Sequence, residues 1–471
     1  MKKSFVRIEN VEIVNFKNVQ HGFLDFEGPQ HKLYKSSVLG LYGQNGSGKT
    51  ALIDALSLLK LALSGKKIPS KFADYVNVDA KFALLKFSFK VIMKDTKAEY
   101  HASYEFKIRK DNDESEQNIS QGDFKDEKIK ATIFDEVFSY AYTFGDEKIK
   151  MGALVNTCSG EVFSPESKYK VLVGTGRKRK SDLLTVKLLA LATSRSFVFS
   201  PELLNTIRQH CKEYRHLNIY EALVWFGNYE LFVINTTNSG LISMNALPLA
   251  FKYEDKRKAA IGSLMIELNR PSLIPQDTLE LVKNIVCNMN VVLTQLIPGL
   301  TISVKELGTE LFKNGSIGAK IQLVSNKNSK EIPLKYESEG IKKIVSILQL
   351  LIVVYNRDSI TVAVDELDSG VFEYLLGEIL RIISEKGKGQ LIFTSHNLRP
   401  LETLDKGFIA FTTTNASNRY IRLKDIKTNN NLRDFYYRDI VLGEQKEPVY
   451  EPTNNYEIAL AFREAGEHSG S

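Results

Sequence analysis

The stretch Leu39-Gly40-Leu41-Tyr42-Gly43-Gln44-Asn45-Gly46-Ser47-Gly48-Lys49-Thr50 leaves a chain that carries it few folds to choose from. An apolar strand runs into a glycine turn, and Lys-Thr opens a helical run from Ala51 to Leu63. Gly43, Gly48, Lys49 and Thr50 satisfy the spacing G-x-x-x-x-G-K-[ST]. The glycines are needed because the backbone must curl until several N–H groups point at one phosphate, and a Cβ blocks both the curl and the ligand's approach. The helix N-terminus adds partial positive charge. Asn45 and Gly46 sit in the turn, Lys49 is placed to reach the β- and γ-phosphates, and the Thr50 hydroxyl to bind Mg²⁺.

Bulk properties set the frame. A chain of 471 residues is too long for one simple core and predicts two or three lobes. A formal charge of +7 permits nucleic-acid contact without arguing for it, since it is spread over a large surface. Cys158, Cys211 and Cys287 are far apart and odd in number with no C-x-x-C pair, which reads as buried or free thiols in a reducing cytosol, with a zinc site as the alternative. The longest apolar run, Ile347 to Tyr355, is too short to span a bilayer, so no membrane partner is expected.

Along the chain, Phe5 to Phe26 reads as two strands around a turn. Val76 to Met93 and Tyr100 to Ile108 alternate as an antiparallel meander, with more strand-like sequence to about Val173. Asp111 to Asp126 reads as an exposed, solvated loop or hairpin tip. Arg177-Lys178-Arg179-Lys180 is the sharpest basic cluster: an exposed turn before a helix, or a phosphate-backbone contact. Ser181 to Phe226 turns helical, Leu231 to Ile234 is a short strand, and helix is expected again around Lys256 to Leu268 and from Leu279 to Leu296. Ile302 to Leu307, Lys320 to Val324 and Lys330 to Tyr336 follow as strands, and the last eight or so residues as a disordered tail.

Further polar groups sit at strand ends and helix starts, where an α/β sheet places its active site. Ile360 to Val364 is a buried-type strand ending in Asp365-Glu366; the first is placed to hold Mg²⁺ opposite Thr50, the second to orient or deprotonate an attacking water. His396 follows the next buried strand, Gln390 to Thr394, where it can donate to a γ-phosphate; alone, it would read as a surface histidine. Ser338-Glu339-Gly340 opens the helix before Asp365. A serine there is a common N-cap, and equally a hydroxyl, N–H groups and a dipole offered to phosphate.

The order P-loop, Ser-x-Gly helix start, Asp-Glu strand end and downstream His resembles the ABC-type ATPase head, and Val11 to Asn18 resembles the first strand of its SMC-like branch, which implies that Lys17 approaches the nucleotide. Ser194-Arg195-Ser196-Phe197 and Leu442-Gly443 look like the compact ATPases of bacterial abortive-infection and phage-defence systems, relatives of the ATPase part of overcoming-lysogenisation-defect proteins. The resemblance implies an α/β ABC-type head with an antiparallel β portion and a large inserted helical lobe. Its parts would be residues 1–175 (P-loop and meander), 176–300 (helical lobe), 301–460 (the other half of the head) and 461–471 (a flexible tail). It implies ATP and Mg²⁺ as cofactors, hydrolysis by Glu366 and His396, and two heads sandwiching two ATP molecules, with Lys49, Thr50, Asp365, Glu366 and His396 of one facing Ser338 and Gly340 of the other. Where such heads carry an Ala-Leu-Asp-like segment, this chain has Ser369-Gly370-Val371-Phe372, with Asp368 as the nearest substitute.

The expected function is an ATP-dependent switch in phage defence, a homodimer or larger homo-oligomer holding a separately encoded effector. Only residues 397–471 follow His396, with no acidic cluster resembling a Toprim-type nuclease. The alternative is an SMC-like DNA-repair or genome-maintenance ATPase, which needs a continuous basic stripe where the sequence offers scattered clusters. The long span between Lys49 and Ser338 argues against a transporter subunit, and Glu366 with His396 against a purely structural nucleotide.

Overall fold

A computed structural model of the chain describes residues 4–26, 36–112, 129–234, 246–255, 258–267, 270–312, 314–327, 330–423, 431–443 and 445–468. Its centre is a six-stranded sheet built from distant parts of the sequence. The strands are β3 (Ser37–Tyr42), β8 (Leu231–Ile234), β15 (Thr361–Val364), β16 (Gln390–Thr394), β17 (Ile409–Thr412) and β18 (Tyr420–Ile421), in the order β18-β17-β3-β16-β15-β8. All pairings are parallel except β17 with β18. The strands β3, β15, β16 and β17 are buried at every residue, as expected of parallel strands covered on both faces.

Alternation within these strands explains the layering. Leu39, Leu41, Ala363, Ile392 and Ala410 face one hydrophobic core, while Val38, Tyr42, Val362, Val364, Leu391, Phe393, Ile409 and Phe411 face a second. A period of two therefore divides the molecule into two cores with this sheet as the seam.

The first core is closed by an antiparallel meander. It comprises β1 (Ser4–Phe16), β2 (Val19–Asp25), β4 (Ala83–Met93), β5 (Glu99–Asn112), β6 (Ile129–Phe144) and β7 (Glu147–Asn156), in the order β2-β1-β4-β5-β6-β7. In β4 every second residue is buried, the signature of a strand with one wet face. Helix α1 (Lys49–Leu63) lies between the two sheets and is buried over most of its surface. Four helices complete this side: α2 (Glu166–Val173), α3 (Arg177–Ala192), α4 (Pro201–His210) and α5 (Tyr214–Trp225). The Ser194–Phe197 turn, singled out by resemblance, is a packing device. Buried Glu136 on β6 accepts hydrogen bonds from Tyr104 Oη (2.5 Å), Ser196 Oγ (2.5 Å) and the Phe197 N–H (2.8 Å).

The second core holds the hairpin β9 (Ala246–Asp255) and β10 (Lys258–Glu267), then β11 (Ser272–Pro275), α6 (Leu279–Leu296), β12 (Leu300–Leu311), β13 (Ile317–Lys327) and β14 (Lys330–Pro333). It is finished by α7 (Glu339–Asn356), α8 (Glu373–Lys386), the short α9 (Pro400–Thr403) and α10 (Leu432–Leu442), which Gly443 ends in a left-handed conformation. Helix α11 (Asn455–His468) follows. The whole is mixed α/β with antiparallel sheets.

Four expectations are corrected. The helix around Lys256 to Leu268 is strand β10: Ile266 lies opposite Leu247 across the hairpin and both are buried, so cross-strand packing outweighs the helix propensity of Ala259, Ala260 and Leu264. Residues 256–257, where the sequence Lys256-Arg257-Lys258 forms a second basic cluster, lie outside the described residues, as do 113–126 of the acidic stretch. Strand character stops at Asn156, and Glu166–Val173 is helical because Pro165 starts a helix at its N-terminus. Strand β4 begins at Ala83, after a 3₁₀ turn over Ser70–Tyr75. The expected C-terminal tail is helical as far as His468. Among the described residues no helix is long and apolar enough to cross a membrane, and all three cysteines are free.

Candidate nucleotide site

Parallel register brings the polar strand ends to one edge. Phe411 pairs with Tyr42, Thr394 with Leu41 and Val364 with Phe393, so the residues after β3, β15 and β16 emerge together. They frame an open cleft of about 470 Å³ lined by Lys17, Asn18, residues 45–51, Asp365, Glu366 and His396. Of the sequence-derived site residues, the structure gathers Lys17, Asn45, Gly46, Gly48, Lys49, Thr50, Asp365, Glu366 and His396 here. Gly43 lies behind the loop, and Ser338 and Gly340 lie elsewhere.

The loop is held from outside by groups no local motif announces. Thr412 Oγ1 bonds both Ser47 Oγ and Tyr42 O, and Tyr420 Oη donates to Gly48 O at 3.0 Å. A Cβ on Gly43, whose φ is +149°, would fall 1.8 Å from Thr412 Oγ1, so only glycine passes there. Arg419 is buried beside Gly48 and donates to Thr413 O at 2.6 Å and Asn18 O at 2.5 Å. Asn18 Nδ2 in turn donates to Gly46 O. Lys17, with φ of +53°, pairs with buried Asp54 of α1 and lies 4.2 Å from the Tyr75 ring centre. It thus lines the cleft while tying the β1–β2 turn to α1.

Lys49 Nζ donates to Gly43 O (2.7 Å) and Gln44 O (2.9 Å), folded back over its own loop. Burial pushes its ammonium down to about 8, against the pull of Asp365, Glu366 and Asp368. Asp365 is fully buried; Thr394 Oγ1 donates to its Oδ1 at 2.5 Å and accepts from the Glu366 N–H at 2.8 Å. Glu366 has φ of +48°, an unfavourable conformation for a residue with a Cβ, which aims the strand end sharply out of the sheet. Asp368 Oδ2 accepts from the backbone N–H groups of His396 (3.1 Å) and Asn397 (2.9 Å). Sequence reading placed Asp368 only as a substitute in the following segment; no spacing rule links residue 368 to residue 396.

A Thr hydroxyl and a buried carboxylate are hard oxygen donors, which suits Mg²⁺. Among the described residues no group of three His, Cys, Asp or Glu forms a self-sufficient metal site.

Ser338 caps α7, accepting from the Ile341 N–H at 3.4 Å, and is exposed. Gly340 packs on the loop after β15: a Cβ there would lie 2.4 Å from Gly370 O. Neither lines the cleft of its own chain.

The model of a family described as AAA domain matches residues 10–215. The N-terminal part matches an AAA domain. That stretch carries Lys17 and the P-loop but not Asp365, Glu366 or His396, and spans less than half of the chain. No curated protein matches. Among solved structures, the chain is similar at 12% identity to an SMC head bound to the C-winged helix domain of ScpA, over 88% of this chain and 98% of that one, with a TM-score of 0.40. For the SMC head domain from Thermotoga maritima the figures are 13%, 89%, 100% and 0.34. For the recombination mediator protein RecF-ATPrS in the RecFOR pathway they are 13%, 89%, 98% and 0.35. At such scores these likenesses carry no weight for function, which rests on the site.

Proposed function

We propose that this chain binds ATP with Mg²⁺ in the cleft, hydrolyses it, and acts as a switch of the ABC-type, SMC-like kind, two copies closing around two ATP molecules. One observation carries the reading. The P-loop, Asp365, Glu366 and His396 share one sheet edge and line one cleft, while the Ser338–Gly340 start of α7, with Ser338 exposed, lines no part of it, which supports a role for that start at another copy's nucleotide.

Each residue has a physical task. Lys49, the loop N–H groups and the start of α1 bind the phosphates. Thr50 and Asp365 would hold Mg²⁺, which supplies charge to the phosphate oxygens. Glu366 orients a water and takes its proton as the water oxygen bonds to the γ-phosphorus and the bond to the bridging oxygen breaks. His396 donates to a γ-phosphate oxygen and registers its departure. Ser338 and Gly340 of the second copy complete the site.

The activity expected of this switch is sensing in an anti-phage defence system in the cytoplasm, with control of a separately encoded effector; what supports it is the motif resemblance. The genome-maintenance alternative needs a basic stripe. In the Arg177–Lys180 cluster, Lys180 pairs with Glu161 and Arg179 with Val173 O, which leaves Arg177 and Lys178 facing solvent.

Glu366→Gln tests the mechanism. Turnover should fall about a hundredfold or more, a loss of about 3 kcal/mol of transition-state stabilisation, and ATP should convert the variant to dimer in light scattering. Wild-type turnover by a monomeric variant would refute the sandwich. Pull-down of the same variant in ATP separates the two biological readings: a stoichiometric protein without nucleic acid supports the defence switch, and DNA without a protein partner supports genome maintenance.

A further inference from the structure

The P-loop is gripped unevenly. Ser47 and Gly48 are held directly, by Thr412 and Tyr420. Gly46 is the open tip: its φ is +74°, and a Cβ there would meet no atom beyond its chain neighbours within 4 Å. Packing on that side therefore does not fix it. The contact that reaches it is Asn18 Nδ2, donating to Gly46 O. Asn18 is itself exposed and follows a turn that needs support, since Asn15 (φ +55°) and Lys17 (φ +53°) both carry a Cβ in the left-handed conformation.

Arg419, between β17 and β18, supplies that support. It is only 5% exposed, and its alkyl part packs on Gly48, where a Cβ would fall 3.2 Å from Cγ and Cδ. Its guanidinium donates to Asn18 O at 2.5 Å and to Thr413 O at 2.6 Å. Its Nε is buried without a partner, and no carboxylate pairs with it among the described residues. Burying a guanidinium with carbonyls alone as partners is costly, and removing it strands two acceptors. The same segment is bonded to the β1–β2 turn elsewhere: the Arg419 N–H donates to His21 O at 3.1 Å, and the Gln20 and His21 N–H groups to Ala416 O at 2.9 and 3.0 Å. Arg419 lines no part of the cleft.

We infer that Arg419 is a positioning residue of the nucleotide site, acting through Asn18 on the tip of the P-loop. The bonds run in series: Arg419 fixes the Asn18 backbone, and the Asn18 side chain fixes Gly46. The N–H groups at the tip are thereby aimed before any phosphate arrives, which spares binding the cost of ordering them. That use rests on the proposed ATP site; the series itself does not. A series has a direction. A break at Arg419 frees both turn and tip, a break at Asn18 frees the tip alone, and the two breaks together do no more to the tip than the first.

The test is hydrogen exchange of the nucleotide-free full chain, followed by mass spectrometry in peptides covering residues 15–22 and 43–48. In the second, the Ser47 N–H, bonded to Gln44 O at 3.3 Å, is the reporter. Arg419→Met should speed exchange in both peptides about threefold or more. Asn18→Ala, and the isosteric Asn18→Asp that lacks the N–H, should speed it in the second alone. Arg419→Lys should fall between wild type and Arg419→Met. The double variant Arg419→Met/Asn18→Ala should match Arg419→Met at residues 43–48. Ser417→Ala, which removes another bond of the same segment, to Gln20, should change neither peptide. Unchanged exchange at residues 43–48 in Asn18→Ala, or effects that multiply in the double variant, would overturn the relay. Should Arg419→Met not fold, the exposed Asn18 variants and Arg419→Lys decide. An arginine that merely packs would lower the melting temperature and leave residues 43–48 alone. Affinity for a fluorescent ATP analogue is read separately and should weaken about tenfold in Asn18→Ala. Faster exchange at the tip in a protein that binds no ATP would keep the relay and sink the ATP site. ATP binding that Asn18→Ala leaves at wild-type strength, with residues 43–48 unmoved, would do the reverse.

Discussion

At the scale of single residues, Lys49 carries the clearest dependence on solution conditions. Its ammonium is held down to about 8, chiefly by burial, while three carboxylates oppose the shift. Phosphate binds the charged form. Below pH 8 the cation is already in place; above it, binding must first take up a proton, and affinity falls toward tenfold per unit. The dissociation constant of a fluorescent ATP analogue should therefore hold steady from pH 6.5 to about 7.5 and weaken about tenfold by pH 9. Lys49→Arg, which does not titrate there, should flatten that slope whatever it does to affinity, and Lys49→Ala should abolish binding. The same shift has the opposite sign for folding. The unfolded chain binds the extra proton between about pH 8 and 10.5, so this group's contribution to stability rises as pH climbs through that window.

Among elements, Glu136 joins three pieces that sequence separates. It lies on β6, takes Tyr104 from β5, and gathers Ser196 and Phe197 from the turn between α3 and α4. Glu136→Ala would strand two hydroxyls and an N–H in a dry interior and should cost about 3 kcal/mol, read as a lower urea midpoint. Glu136→Gln should cost less, because its amide oxygen still accepts. Other elements show how far local pattern reaches. The alternation of β4 and the apolar run of α7 were legible because each is a period repeated over many residues. The hairpin β9–β10 was not, since Ala, Leu, Met and Glu favour helix until a partner strand supplies burial.

On the scale of the whole molecule, the two cores meet at the parallel sheet, and the last helix belongs to neither. Every described side chain from Glu451 to Gly466 is exposed, Tyr456 and Phe462 at 77% each. Ending the chain after Pro452 should leave the melting temperature within about 1 °C, because surface changes away from packed groups alter stability by about 0.5 kcal/mol or less. It keeps the bond from the Glu451 N–H to Gln44 Oε1, which anchors the preceding segment beside the P-loop. A larger drop in differential scanning calorimetry would mean that α11 packs in solution.

The sequence by itself determined the strand, turn and helix of the P-loop, the Asp365-Glu366 strand end and the position of His396 one strand later. Each is a local pattern: glycine where φ must turn positive, apolar runs where strands are buried on both faces, polar residues where they stop. Tertiary structure alone decided what holds these parts in place. Thr412 and Tyr420 against the P-loop, Asp54 on Lys17, β8 offering Ile234 O to the Asp365 N–H at 2.8 Å, and Asp368 on the His396 loop are contacts between residues far apart in the chain. No periodicity or spacing encodes such contacts, because the residues meet only when two cores have closed on one sheet.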